Sequence, residues 1–223
     1  MDLIDAPSPN HDSRDGQQVD ILLLHYTGMK TGEEAIQRLR DPAAKVSAHY
    51  VVEEDGRIFH LVAEERRAWH AGVSAWRGHT NTNARSIGIE VVNPGHEWGY
   101  RLFPPAQMQA VLALSRAILS RHRIPPRNVI GHSDVAPARK EDPGELFDWR
   151  GMAAAGVGLW PVPRAATWER SEFFARLAEY GYGVEDEAAA ARAFCRHFRP
   201  GELATVPDAE MAALLNGLLA MVS

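Results

Sequence analysis

The chain has 223 residues, of which 45% are hydrophobic and 24% charged, enough for one good core with room for a small second domain. A net charge of −5 gives nucleic-acid binding no electrostatic support, and the single cysteine, Cys195, excludes an internal disulfide. No apolar run approaches the roughly 20 residues that a membrane-spanning helix needs.

Residues 1–18 are polar, contain Pro7, Pro9 and Gly16, and read as an extended arm. The stretch MDLIDAPSPNHDSRDG has neither a basic n-region nor an apolar h-region, so it is not a signal peptide. The expectation is a cytoplasmic protein, or an envelope-associated one if a leader has been removed. Ile21-Leu22-Leu23-Leu24 is a continuous apolar run, the pattern of a strand buried on both faces, and places a first strand over 19–27. Thr31-Gly32 open a helix to about Arg40, with Ala35, Ile36 and Leu39 inward and Glu33 and Glu34 at its positive end. Residues 47–53 and 57–62 read as strands joined by Glu54-Asp55-Gly56, a hairpin signal. Residues 86–92 form another apolar strand, closed by Asn93-Pro94-Gly95.

Pro104 and Pro105 begin the longest helix, which runs to about His122; proline is tolerated in a first turn. Met108, Val111, Leu112, Ser115, Ile118 and Leu119 supply its core stripe. A strand over 127–131 leads into a polar loop, 131–144, stiffened by Pro137 and Pro143, and a short helix over 147–154 follows. This alternation predicts an α/β fold, a mixed central sheet flanked by helices. GVGLWPVPRAA, residues 156–166, is a glycine- and proline-rich boundary. It divides a catalytic domain, 1–160, from a small helical C-terminal domain, 161–223, with three helices at about 168–180, 185–198 and 207–221. Met211, Leu214, Leu215, Leu218 and Val222 share one face of the last helix. Such short amphipathic helices must pack together or onto the first domain. Cys195, beside Phe194 and Phe198, reads as a plain core thiol.

Nine of the ten histidines lie in residues 1–132, so the chemistry belongs to the first two-thirds. A stiff polar loop after a buried strand is a common place for a site, and 131–144 holds His132, Lys140 and Asp142. His132 and Asp142 are ligand types that zinc accepts, and His25, at the end of the first strand, is a third. Two histidines and a carboxylate leave a fourth position for water, whose pKa then falls near neutrality. Glu90 ends the strand Ser86-Ile87-Gly88-Ile89-Glu90, and apolar neighbours raise its pKa and suit it to pass protons.

LLLHYTG, SAHYVVEEDGRIFHLV, AWHAG, SIGIE and GHSDVAPARKEDPG occur in this order, and over about residues 7–155 the chain resembles the zinc-dependent N-acetylmuramoyl-L-alanine amidases of the AmpD/AmiD branch. The resemblance implies one zinc ion per chain, held by His25, His132 and Asp142. It implies Glu90 as general base and acid, and Lys140 as the cation that stabilises the oxyanion. The related phage-lysozyme pattern has a cysteine where Asp142 stands and a tyrosine where Ala48 stands, which leaves Glu90 as the acid–base residue here. Tyr26, His49, Trp69, His70, Asn83 and Arg85, with Trp76 in the same segment, would line the substrate cleft. Trp69 would stack on a sugar ring or the stem peptide, and Asn83 and Arg85 would bind peptide carboxylates, Arg85 in bidentate fashion. His11, His60, His79, His96 and His122 have no assigned role and read as surface or structural.

The activity so implied is hydrolysis of the amide between N-acetylmuramic acid and L-alanine of the stem peptide. The partners are peptidoglycan fragments, either 1,6-anhydro-muropeptides in cytoplasmic recycling or intact muropeptides in the envelope. Two other readings stay open: a non-catalytic peptidoglycan-binding or sensing protein of the same fold, which requires a broken ligand set, and a different metal hydrolase on the same scaffold. The run LAEYGYGVEDEAAAARAFCRHFRP resembles a peptidoglycan-binding three-helix module, or is a packing appendage.

Overall fold

The structure, a computed structural model, describes residues 2–165 and 169–222. In chain order the elements are strands β1 (Leu3–Asp5), β2 (His11–Ser13) and β3 (Ile21–Tyr26), helix α1 (Gly32–Arg40), and strands β4 (Tyr50–Val52), β5 (Ile58–His60) and β6 (Arg66–Ala68). Helix α2 (Thr82–Arg85), strand β7 (Ser86–Val91), helix α3 (Gly95–Trp98) and the long helix α4 (Pro105–Arg121) follow. A 3-10 turn (Pro126–Asn128) enters β8 (Val129–Gly131), then helices α5 (His132–Val135), α6 (Trp149–Ala154), α7 (Arg170–Tyr180), α8 (Glu187–Phe198) and α9 (Ala209–Val222).

The main sheet has six strands in the order β1-β5-β4-β7-β3-β8. Its centre is parallel: β3 pairs with β7 and β8, and β7 with β4. The expected hairpin is the antiparallel β4–β5 pair, with Val52 opposite Ile58 and Gly56 in the turn at φ +90°, a conformation that favours glycine. The sheet is therefore mixed, as the alternation of elements predicts.

Alternation along β3 sorts its side chains between two cores. Leu22 and Leu24 face Ile87, Ile89 and Val129 of the sheet and Val111, Leu114 and Ile118 of α4. Ile21 and Leu23 face the opposite layer, where Phe173, Leu177, Phe194 and Leu218 of the C-terminal helices share their cluster. Each buried leucine or phenylalanine contributes about 1.5–3 kcal/mol, so these helices are bound to the sheet by the same kind of core as α4. The expected face of the last helix holds: Met211, Leu214, Leu215 and Leu218 are buried and Val222 partly so. Trp168, where the sequence expectation begins α7, and Ala166 at the end of the boundary stretch lie outside the described residues.

Three expectations are corrected. The N-terminal arm is not free: β1 adds to β5, β2 pairs with β6, and Ser8, Asn10 and Arg14 are buried. Its order comes from long-range hydrogen bonds, such as Asn10 Nδ2 to the carbonyls of Asp41 and Val46, which carry no local hydrophobic signal. The buried face of α4 is Gln107, Val111, Leu114, Ser115 and Ile118; Met108, Leu112 and Leu119 are only partly buried. Gln107 takes an inner position because its amide donates to the carbonyls of Val52 and Val92 at the ends of β4 and β7. Finally, the polar loop after β8 opens with the one-turn helix α5 rather than as irregular chain. No helix among the described residues is long and apolar enough to cross a membrane.

Candidate active site

The parallel strands deliver the site at their carboxyl ends, where open α/β sheets place ligands. His25 and Glu90 are register partners near the ends of β3 and β7, so their side chains leave the same face side by side. His132 follows the last residue of β8, and Asp142 returns on the loop, where the amide of Ser133 donates to the carbonyl of Asp142 at 2.9 Å. His25 Nδ1, His132 Nδ1 and Asp142 Oδ2 converge, separated by 3.0, 2.9 and 3.0 Å, and all three side chains are buried.

The outer nitrogens fix the tautomers. His132 Nε2 lies 2.9 Å from the carbonyl of Ala71, which can only accept, so Nε2 carries the proton and Nδ1 presents its lone pair to the cluster. For His25 the logic runs through two more side chains. Ser86 Oγ donates to the carbonyl of Thr82 at 2.7 Å, and so accepts from His70 Nε2 at 3.2 Å. The lone pair of His70 Nδ1 then accepts from His25 Nε2 at 3.0 Å, which leaves His25 Nδ1 unprotonated. Burial, then the nearby His132, brings the His25 pKa down to about 4, so its ring is neutral at pH 7. Two imidazole lone pairs and a carboxylate in mutual contact form a donor set for a cation, and ligating histidines normally have their other nitrogen engaged in this way.

Glu90 lies at the same floor. Its Oε2 is buried and has no hydrogen-bond partner among the described residues. Burial and the charge of Asp142 raise its pKa well above the ordinary value, with Lys140 opposing. An acid that holds its proton this firmly in a cleft is equipped for proton transfer. The cleft encloses about 600 Å³ and is lined by His25, Tyr26, Trp69, His70, Glu90, His132, Lys140 and Asp142, among others.

The structure thus gathers the three ligand candidates, Glu90, Lys140, Tyr26, Trp69 and His70 around one cleft, and places the remaining expected residues elsewhere. His49 is fully buried: the amide of Gly88 donates to its Nδ1, and its Nε2 donates to the carbonyl of Arg66. Asn83 Oδ1 accepts from the amides of His70 and Ala71, which ties it to the WHAG turn. Arg85 does make a bidentate contact, but with Asp20, away from the cleft. Trp76 is fully buried, its Nε1 donating to Asn128. Even His70 touches His25 rather than standing free for a ligand.

Two features at the cleft escape sequence reasoning. Trp98, 48% exposed, stands at the cleft mouth with the Lys30 ammonium 4.4 Å from its ring centre; its only sequence signal is an aromatic set in the polar, glycine-flanked segment GHEWG. Gly88 gives the His70 ring its space, since a Cβ there would lie 2.6 Å from His70 Cγ and Nδ1.

Comparison with known proteins shows similarity to amidases. The family model described as N-acetylmuramoyl-L-alanine amidase matches residues 15–145. N-acetylmuramoyl-L-alanine amidase AmiD of Escherichia coli K12 is 36% identical over 91% of this chain and 83% of its own length. The 1,6-anhydro-N-acetylmuramyl-L-alanine amidase AmpD of Citrobacter freundii is 34% identical over 65% of this chain and 84% of its own. Among solved structures, E. coli AmiD in complex with the substrate anhydro-N-acetylmuramic acid-L-Ala-D-γ-Glu-L-Lys superposes with a TM-score of 0.83 at 35% identity, covering 94% of this chain and 90% of that one. AmpDh3 of Pseudomonas aeruginosa in complex with anhydromuramic pentapeptide gives a TM-score of 0.85 at 34% identity, with 93% of each chain covered.

Proposed function

The chain belongs to the N-acetylmuramoyl-L-alanine amidase family, and from that premise we propose that His25, His132 and Asp142 hold a single zinc ion around which the reaction is organised. The enzyme hydrolyses the amide between N-acetylmuramic acid and L-alanine of the peptidoglycan stem peptide. The observation that carries the zinc assignment is the convergence of three lone-pair atoms at 2.9–3.0 Å. Two imidazole nitrogens and a carboxylate oxygen are the donor types zinc accepts, so the residues present fit the ion. A zinc ion held by these three residues would supply Lewis-acid chemistry at the scissile carbonyl and at water.

The rest is done by the chain's own side chains. Glu90 takes the proton that the attacking water loses and returns it to the amide nitrogen, so that the C–N bond breaks to a muramic carboxylate and a free peptide amine. Its raised pKa suits the second half of that task; the Lys140 ammonium favours the ionised form needed for the first, and a cation held by the cluster would add to it. Lys140, half-buried at the cleft wall, offers an ammonium to the oxygen on which charge develops. Trp69 and Tyr26 supply apolar wall to the substrate. In this reading residues 1–160 carry the chemistry, and residues 161–223 are a helical part built against them. A non-catalytic binding role finds no support in a complete ligand set beside a proton-holding Glu90.

The test is product analysis by mass spectrometry with anhydro-muramyl tripeptide and, separately, intact muropeptide, each with and without chelator. Chelator-sensitive release of free peptide is expected. Release from the anhydro substrate alone supports cytoplasmic recycling, whereas release from both supports wall turnover in the envelope. Glu90→Gln should retain zinc and lose turnover; substantial turnover in that variant would overturn the assignment of Glu90, and no release by zinc-loaded wild type would overturn the amidase reading of the site.

A further inference from the structure

Two consecutive residues in the last turn of α8 grip the two ends of the ligand-bearing loop. His197 Nδ1 lies 2.7 Å from Asp134 Oδ2, and Arg196 Nη2 donates to Glu141 Oε1 at 2.7 Å. Asp134 is two residues after the ligand His132, and Glu141 is the residue before the ligand Asp142. The grip on Asp134 is close: its side chain is wholly buried, Oδ1 accepts from Tyr182 at 2.6 Å, and Oδ2 also accepts from the amide of Gly131 at 2.7 Å. A buried carboxylate is tolerated only with such compensation, and here two of the three donors come from beyond residue 160. The His197 ring is itself clamped, stacked on Trp149 at 3.9 Å and on Phe198 at 3.9 Å. Asp134 and His197 are buried and do not line the cleft.

We propose that the C-terminal helices are a working part of the metal centre: Tyr182 and His197 position His132 through Asp134, and Arg196 positions Asp142 through Glu141. A carboxylate that ties the start of α5 to α8 fixes where the His132 backbone begins, and therefore where Nδ1 points. The inference rests on the reading of His25, His132 and Asp142 as the zinc site, and it gives residues 161–223 a role that needs no ligand of their own.

The experiment uses the full chain and four variants. His197→Leu removes the donor and keeps apolar bulk between Trp149 and Phe198; His197→Asn restores a donor near the position of Nδ1; Tyr182→Phe removes a single oxygen and carries the test if His197→Leu fails to fold. Arg199→Leu is the control, because Arg199 ties α8 to Asp208 and Glu210 and touches neither ligand segment. The readouts are the zinc dissociation constant by chelator competition, the visible absorption of the cobalt-substituted protein, and the Tm of the metal-free protein. His197→Leu and Tyr182→Phe should weaken zinc binding by about 10-fold or more, within the range usual for groups that orient ligands, and shift the cobalt bands. His197→Asn should recover most of the loss, and Arg199→Leu should lower Tm alone. Zinc affinity within twofold of wild type in both test variants, with Tm reduced, overturns the inference while leaving the zinc site standing. A wild type that binds no zinc overturns both.

Discussion

Gly88→Ala tests the site through an atom that touches no ligand. The new methyl carbon would lie 2.6 Å from Cγ and Nδ1 and 2.7 Å from Cε1 of His70. Carbon contacts are comfortable only from about 3.5 Å, so the ring must retreat by roughly 1 Å. It has little freedom to do so, with the rings of His25 and His49 at 5.1 and 5.6 Å. The same retreat stretches the 3.0 Å contact from His25 Nε2 to His70 Nδ1 beyond hydrogen-bond range, and His25 loses the group that holds its tautomer. Loss of such a partner weakens metal binding by about 10–100-fold, or roughly 1.4–2.7 kcal/mol, and overpacking removes about 1–3 kcal/mol of stability. Zinc competition on wild type, Gly88→Ala, His70→Ala and the double variant separates these effects. If the clash acts through His70, Gly88→Ala weakens zinc in the wild-type background and adds almost nothing once His70 is truncated. Wild-type zinc affinity in Gly88→Ala, or an equal loss in both backgrounds, would refute the argument.

Three further outcomes are expected. Lys140→Met should lower kcat by roughly 10- to 100-fold with zinc content unchanged; a wild-type kcat would remove Lys140 from the mechanism. Trp98→Ala should raise KM about fivefold and leave kcat intact, the effect of losing one aromatic contact worth about 1 kcal/mol, and steady-state kinetics with an unchanged KM would deny Trp98 a part in binding. Glu64 titrates at about 2 in the folded chain: burial raises it, but hydrogen bonds from Arg121, His122 and Tyr50 outweigh burial. A folded pKa below the unfolded one contributes stability above the unfolded value, near 4.5, which is lost as pH falls toward 2. With a side chain only 11% exposed, this amounts to roughly 2–3 kcal/mol. Thermal unfolding between pH 7 and pH 3 should therefore fall more steeply for wild type than for Glu64→Gln, and parallel curves would show that Glu64 does not carry the effect.

Much of the site is legible along the chain because strands deliver residues predictably. An apolar run that ends in His25, another that ends in Glu90, and a third that runs into His132 are enough to bring these side chains to one edge once the strands are parallel neighbours. The substrate-side residues were less legible. Asn83 and Arg85 look like free polar groups in the sequence, yet each is held by a partner far away in the chain or across a turn: the amides of His70 and Ala71 hold Asn83 Oδ1, and Asp20 holds Arg85. Trp69 and Trp76 look alike as well, but only Trp69 reaches the cleft, because Trp76 is driven inward against Tyr180 and Tyr182.

By itself, then, the order of apolar runs, turns and chemically competent ends determined an α/β sheet with candidate metal ligands along one edge, since periodicity and residue type are local properties. Which nitrogen of each histidine is free, that Gly88 must lack a side chain, and that α8 grips the ligand loop through Asp134 and Glu141 were decided only in three dimensions. Each depends on a contact between segments remote in sequence, from His25 with His70 to Asp134 with His197, and no local pattern encodes a hydrogen bond whose partner arrives from another layer of the fold.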